Sequence, residues 1–181
     1  MIADKSRAFW IGASDTSYAI GNRSTASFKK WWLEKLGLRQ NDISTKAMKC
    51  GNAFEHKILE CIGCRKDHQI LVPELHLRVN YDGDKDGTIY EVKTHKADKP
   101  FKVSKAYWRQ AQVEMYAMGT KSLYIVSYAL TEQEYLNYFT PIEPDRIEYH
   151  KVEYDDEFIL NEYLPKLREL CGYLERGEMP R

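Results

Sequence analysis

Asp82, Glu91 and Lys93 are the residues whose types and spacing pose a chemical question. Asp82 closes a run in which Leu75, Leu77, Val79 and Tyr81 alternate with polar residues, and Glu91-Val92-Lys93 lies in the next β-rich run. The intervening Asp82–Gly87 is rich in Gly and Asp, the composition of a hairpin turn. Residues two apart on a strand point to one face, so Glu91 and Lys93 share a face. Two carboxylates and a lysine held on such a hairpin can grip a divalent cation and orient a water. Hard oxygen donors without paired histidines favour Mg²⁺ or Mn²⁺ over zinc. A cation in that setting lowers the pKa of a bound water and neutralises charge on a scissile phosphodiester; the adjacent lysine can orient that water or stabilise the transition state. Asp84 and Asp86 are rival ligands in the same turn, with Asp86 only five residues before Glu91.

Two helices carry further candidates. Thr45–Ile62 reads as an amphipathic helix. With Glu55 set at zero, Met48, Gly51, Ile58, Leu59 and Ile62 all fall within about 60° of it. A carboxylate in the middle of an apolar face needs a partner. An ion pair or a half-exposed side chain is the plainer account, and a metal ligand beside Asp82 and Glu91 the sharper one. Ser104–Met118 is a second such helix, capped by Ser104, with an apolar stripe of Trp108, Ala111, Met115 and Met118. Gln112 intrudes near that stripe. Gln110 lies opposite, among Ala106, Val113 and Ala117. Together they mark a polar edge.

The elements that must position these residues follow in order. Ser14-Asp15 is a candidate N-cap. Thr25–Leu36 is a helix ending at Gly37, with Trp31 and Trp32 as packing residues. Ile70–Tyr81 and Thr88–Thr94 are strands, the first interrupted or at an edge near Pro73. Ser122–Leu130 is a central strand, Thr131–Phe139 a short helix and Arg146–Tyr154 another strand. Asp155–Arg176 is a closing helix kinked or broken near Pro165. This order predicts a single α/β (α+β) domain over residues 1–181, a central mixed sheet flanked by helices.

Composition sets the outer bounds. Lys plus Arg and Asp plus Glu both number 27, so any positive potential for nucleic acid must be local or come from metal ions. Thirteen Tyr and four Trp argue against disorder. No apolar run approaches the ~18 residues of a membrane span and no signal peptide opens the chain, so a soluble cytoplasmic protein is expected. Cys61-Ile-Gly-Cys64 followed by His68 is a partial zinc or iron–sulfur pattern that needs Cys50 or Cys171 to complete it. Thiols packed on helix faces are the simpler reading.

Four pieces in order carry a resemblance. They are Arg7 seven residues before Ser14 in RAFWIGAS; Gly51-Asn-Ala-Phe-Glu55; Asp82-Gly83 followed by Glu91-Val-Lys93; and Tyr107-Trp-Arg-Gln110-Ala-Gln112-Val-Glu-Met115 ending at Gly119. Over about Arg7–Tyr128 the sequence resembles the PD-(D/E)xK nuclease superfamily, and within it the YqaJ-like viral recombinases that include phage lambda exonuclease. The resemblance implies a restriction-endonuclease-like core. It implies that Glu55, Asp82 and Glu91, with the Val92 carbonyl, hold Mg²⁺ or Mn²⁺. Lys93 would then activate or orient the water, and Gln110 would support the lysine, the water or the phosphate. Arg7 and Ser14 would bind the terminal 5′-phosphate, with Gln112 also on the substrate side. Such enzymes digest double-stranded DNA ends 5′ to 3′ in phage-type recombination and hand the overhang to a single-strand annealing protein. Some form homo-oligomeric trimeric rings, and a phage-encoded member works in the host cytoplasm. Tyr81 stands where the family often has proline, and the chain is shorter than many relatives. Two alternatives stay open. One is a Cas4-like or RecB-like nuclease or endonuclease, although Cys50, Cys61 and Cys64 cluster mid-chain rather than near the termini. The other is a catalytically idle DNA-end-binding or inhibitory protein on the same scaffold.

Overall fold

The computed structural model describes residues 7–40 and 45–181. Five strands form one sheet in the order β1 (Arg65–Val72), β2 (Leu77–Lys85), β3 (Thr88–Lys96), β4 (Leu123–Leu130), β5 (Ile147–Val152). Neighbours are antiparallel except β3 and β4, which run parallel in register from Ile89↔Leu123 to Lys96↔Leu130. A parallel pair needs a crossover. Helix α4 (Lys105–Met118) lies in that connection. The sheet is mixed and flanked by helices, as the sequence predicts.

The remaining helices are α1 (Thr16–Ala19), α2 (Ala26–Lys35), α3 (Lys46–Ile62), α5 (Glu132–Leu136) and α6 (Leu164–Arg176). Their starts follow side-chain chemistry. The hydroxyls of Thr25, Thr45 and Ser104 accept from the N–H groups of Phe28, Met48 and Tyr107 and so cap α2, α3 and α4. Alternation on β3 sends its residues to two cores. Ile89 joins Trp32, Val79, Val113, Met115 and Leu167, while Val92 joins Cys50, Phe54, Ile58, Leu59 and Tyr128 beneath α3. Trp31 and Trp32 are packing residues, 5% and 0% exposed.

Four elements differ from the sequence expectation. The segment Ile70–Tyr81 is not one strand. Pro73–Leu75 is a 3₁₀ turn, His76 is left-handed (φ 44°), and β1 folds back on β2 through Val72↔Leu77. Proline cannot donate to a ladder, so the pairing breaks there. Asp82 lies within β2, not at its end, because the turn is only Asp86-Gly87, both at positive φ (51° and 77°). That is the two-residue hairpin geometry favoured by Asp-Gly. The closing helix opens as a π-helical segment, Phe158–Tyr163, before α6. Pro165 lacks an N–H, and the widened turn just before it has Leu164 N–H reaching back to Ile159 O. The short helix ends at Leu136 because Asn137 is extended. Among the described residues, no helix is long and apolar enough to cross a membrane.

Candidate active site

The central strand, β3, carries the core of the site. Glu91 is 4% exposed. The Lys93 Nζ donates to Glu91 Oε1 at 2.7 Å. On the neighbouring strand, Asp82 Oδ2 accepts the Val92 N–H at 2.8 Å. Val92 is itself fixed by pairing with Val126. From α4, the Gln110 Nε2 donates to Glu91 Oε1 at 2.6 Å and to Glu114 Oε1 at 2.7 Å. Glu114 is completely buried. Glu55 reaches the group from α3, half-buried and within electrostatic range of Glu91 and Lys93. It flanks the apolar face and does not centre it. Cys50, Phe54 and Ile58 take the middle of that face at intervals of four, and Met48 is 50% exposed.

Four carboxylates therefore surround one lysine, and their protonation shows it. Burial first, then the charge of Glu91, push the Glu55 carboxyl up to about 7. Burial, then Glu91 and Glu55, raise Asp82; burial, then Glu91, raise Glu114. Burial alone would lower Lys93, but Glu91 and Asp82 outweigh it and hold the ammonium above its ordinary value. Lys93 is thus a cation that can orient or donate, not a resting base. Glu91 Oε2 and Glu114 Oε2 are enclosed without a hydrogen-bond partner. An enclosed carboxylate oxygen calls for a cation or a proton. An all-oxygen donor set of this kind fits a hard divalent ion.

Gly83 shows why the hairpin can sit so close to α3. A Cβ there would lie 2.8 Å from Arg65 O and from Leu59 Cδ2. Of the rival aspartates, Asp84 is buried with Arg65 Nη2 at 2.5 Å and His68 Nε2 at 2.9 Å, and Asp86 is exposed in the turn. Glu55, His56 and Asp67 offer ligand atoms within 4.8 Å of one another on the outer side of the cluster, a grouping the sequence reading does not contain.

Arg7 and Ser14 line a cleft of about 100 Å³ together with Trp10, Lys35, Arg78 and Gln110. Asp15 shapes its wall. Its Oδ2 accepts the Gly12 N–H at 2.8 Å and lies 2.6 Å from Lys35 Nζ. That carboxylate is spent on the loop, and no capping bond to α1 forms. The structure does not bring Gln112 to this region. Its Nε2 donates to Glu153 O at 2.9 Å and its Oε1 accepts the Asp155 N–H at 2.8 Å, bracing the exit from β5. The residues that sequence reasoning missed are Glu114, Lys35 and Arg78. Glu114 had a readable signal, since it lies four residues after Gln110 and so on the same helix face. The cysteines do not gather: Cys50 and Cys171 are buried on different helices, Cys61 is exposed and Cys64 is partly buried.

No protein-family model and no curated protein sequence matches the chain. Solved structures do. The alkaline exonuclease LHK-Exo from Laribacter hongkongensis aligns at TM-score 0.64 and 20% identity, over 94% of this chain and 93% of its own. Its crystal structure in complex with dAMP aligns at TM-score 0.70 and 20% identity, over 94% of this chain and 90% of that one. A phage-related exonuclease from Haemophilus somnus 129PT aligns at TM-score 0.69 and 14% identity, over 92% and 95%. The fold is that of the alkaline and phage-related exonucleases. The shared fold extends over nearly the full length of each partner.

Proposed function

We propose that this chain is a divalent-metal-dependent DNA exonuclease that attacks double-stranded ends from the 5′ side. One observation carries the reading. Gln110 belongs both to the acid–lysine cluster, through Glu91, and to the cleft lined by Arg7 and Ser14. A terminal phosphate held by Arg7 and Ser14 sets the adjoining phosphodiester against Glu91 and Lys93. That arrangement reads a 5′-phosphate and gives the reaction its polarity.

Glu55, Asp82 and Glu91, with the Val92 carbonyl, are the residues that would hold Mg²⁺ or Mn²⁺. The bound ion would supply a water of lowered pKa and charge neutralisation at the phosphate. Lys93, charged and tethered to Glu91, orients the attacking water and offsets charge on the phosphoryl oxygens. Gln110 spends its Nε2 on Glu91 and Glu114 and so turns its amide oxygen away from the acids. The bare Oε2 of Glu91 supports a cation beside it. A trimeric ring and a single-strand annealing partner belong to the same reading as proposals.

The direct test is digestion of a linear duplex bearing either 5′-phosphate or 5′-hydroxyl ends, with Mg²⁺ or Mn²⁺. Nucleotides should be released faster from the phosphorylated ends, and Lys93→Ala should abolish release. No release with either metal, or equal release by the Lys93→Ala variant, would sink the proposal.

A further inference from the structure

The balanced net charge of the chain hides how its cations are deployed. Many surface cations are paired: Arg23 with Glu169, Lys121 with Asp156, Lys151 with Glu153, Arg176 with Glu178. The crossover from β3 to α4 is different. Lys96, Lys99, Lys102 and Lys105 recur at every third position, with Asp98 the single acid among them. All four are exposed, and among the described residues none is ion-paired. Lys96 lies over the Tyr135 ring at 5.6 Å, beside Lys46 over the same ring at 4.8 Å.

The lysines are displayed on a pinned backbone. Pro100 precedes Phe101, whose ring packs 5.4 Å from His95, 6.1 Å from Tyr107 and 4.9 Å from His150. A cleft of about 420 Å³ runs along this loop, lined by Thr94, Lys96, Lys99, Lys102 and Tyr107. A second, of about 530 Å³, lies beyond it between Lys46, Lys96 and Tyr135, with Asp98 and Glu132 as the opposing acids. Tyr107 ties the loop to the site, because Lys93 Nζ sits 5.1 Å from its ring centroid. Lys105 is the first residue of α4, whose first turn has no acid. Cations at a helix N-terminus face the positive end of its dipole. No acid in that turn offsets them, but Lys105 also borders Asp155, Glu157 and Glu162 across a cleft, so the unmet demand for anions centres on Lys99 and Lys102.

We propose that the crest Lys96–Lys99–Lys102–Lys105 carries the phosphate backbone of the duplex behind the end being processed. The proposal rests on the nuclease reading above and extends it to the part of the substrate that is not cut. The chain turns between Lys96 and Lys99, where the Lys99 N–H reaches back to Lys96 O at 3.4 Å; beyond that turn three residues reach at most about 10 Å, and phosphates on one strand advance about 3.4 Å each along the axis. Lys99 and Lys102 can therefore address phosphates up to about three apart. Lysine grips phosphate as a point charge and reads no base, so this grip is indifferent to sequence and sensitive to salt.

Binding of a blunt labelled duplex, followed by anisotropy in EDTA across a salt series, tests the crest without cleavage. The double variant Lys99→Gln/Lys102→Gln should lower the slope of log affinity against log salt by about 2, near 0.9 per lost phosphate contact, and weaken binding about tenfold. Lys29→Gln/Lys30→Gln removes the same charge from exposed positions on α2 and should leave the slope unchanged. An equal fall in both variants, or none in the first, overturns the crest. Digestion of the same duplex with Mn²⁺ is read in parallel. Cleavage with an unchanged slope removes the crest and leaves the nuclease reading standing. Neither binding nor cleavage by the unaltered protein removes both and turns attention to an acidic protein partner.

Discussion

Lys93 and Gln110 place their hydrogens on the same oxygen of Glu91, which leaves the other oxygen of that carboxylate bare. When EDTA removes divalent cations, the site should favour protons, and pH should register it. The Glu55 carboxyl is raised from 4.5 to about 7, so the folded protein favours its protonated form. The stability this group contributes is full below about 4.5 and is lost as pH rises through about 7. In EDTA, the melting temperature should fall across that window, and Glu55→Gln should flatten the fall. A divalent cation should raise the melting temperature most above the window, and Asp82→Asn should remove most of that rise. Glu114 gives a second prediction. Without its carboxylate, one Gln110 hydrogen is released and the amide can rotate. Glu114→Ala should lower kcat at least about tenfold with KM little changed, and Glu114→Gln, which keeps an acceptor, should restore part of it. The sequence shows why Gln110 and Gln112 part company: at 100° per residue they lie 200° apart, on opposite faces of α4. The same winding sets Glu114 beside Gln110. The other partner of Gln110, Glu91 on β3, is a tertiary fact that no helical wheel contains.

At the scale of elements, the β2–β3 hairpin and α4 do the positioning. Period-two alternation made the shared face of Glu91 and Lys93 legible, and capping chemistry made the starts of α2, α3 and α4 legible. The start of β1 was not, because residues 65–69 are polar and mostly exposed and show no alternation. Pro73 marked a break, but a break inside one strand and a turn between two look alike until the partner strand is known. Gly83 is the tightest point of the hairpin. Gly83→Ala should cost about 1–3 kcal/mol by overpacking against Leu59 and the Arg65 carbonyl, visible as a lower denaturation midpoint and a loss of activity as Asp82 shifts. Gln112→Ala should also destabilise, by about 1–3 kcal/mol, because the buried Gln112 amide holds the Glu153 carbonyl and the Asp155 N–H. Activity per folded molecule should persist, since Gln112 braces β5 and not the acids. A loss of activity without a loss of stability would mean that Gln112 also touches substrate.

For the whole molecule, the order of elements carried the architecture, but not which layer would hold which acid. Glu55 approaches from the α3 layer, Gln110 and Glu114 from the α4 layer, and β3 lies between them. The cluster forms only when both layers close on the sheet, so the folded site reports the assembly of the chain as a whole. The four tryptophans are distributed unevenly over that assembly. Trp31 and Trp32 are sealed in the core, and Trp108 rests against Phe158 with ring centroids 4.9 Å apart. Trp10 stands partly exposed in the wall of the cleft with Arg7 and Ser14. That indole is a built-in optical probe. Titrating a 5′-phosphorylated oligonucleotide in EDTA should quench or shift its emission, and Trp10→Phe should silence the signal while the core tryptophans glow unchanged. The occupancy of a DNA end can then be followed in real time, on unlabelled protein, before a single bond is cut.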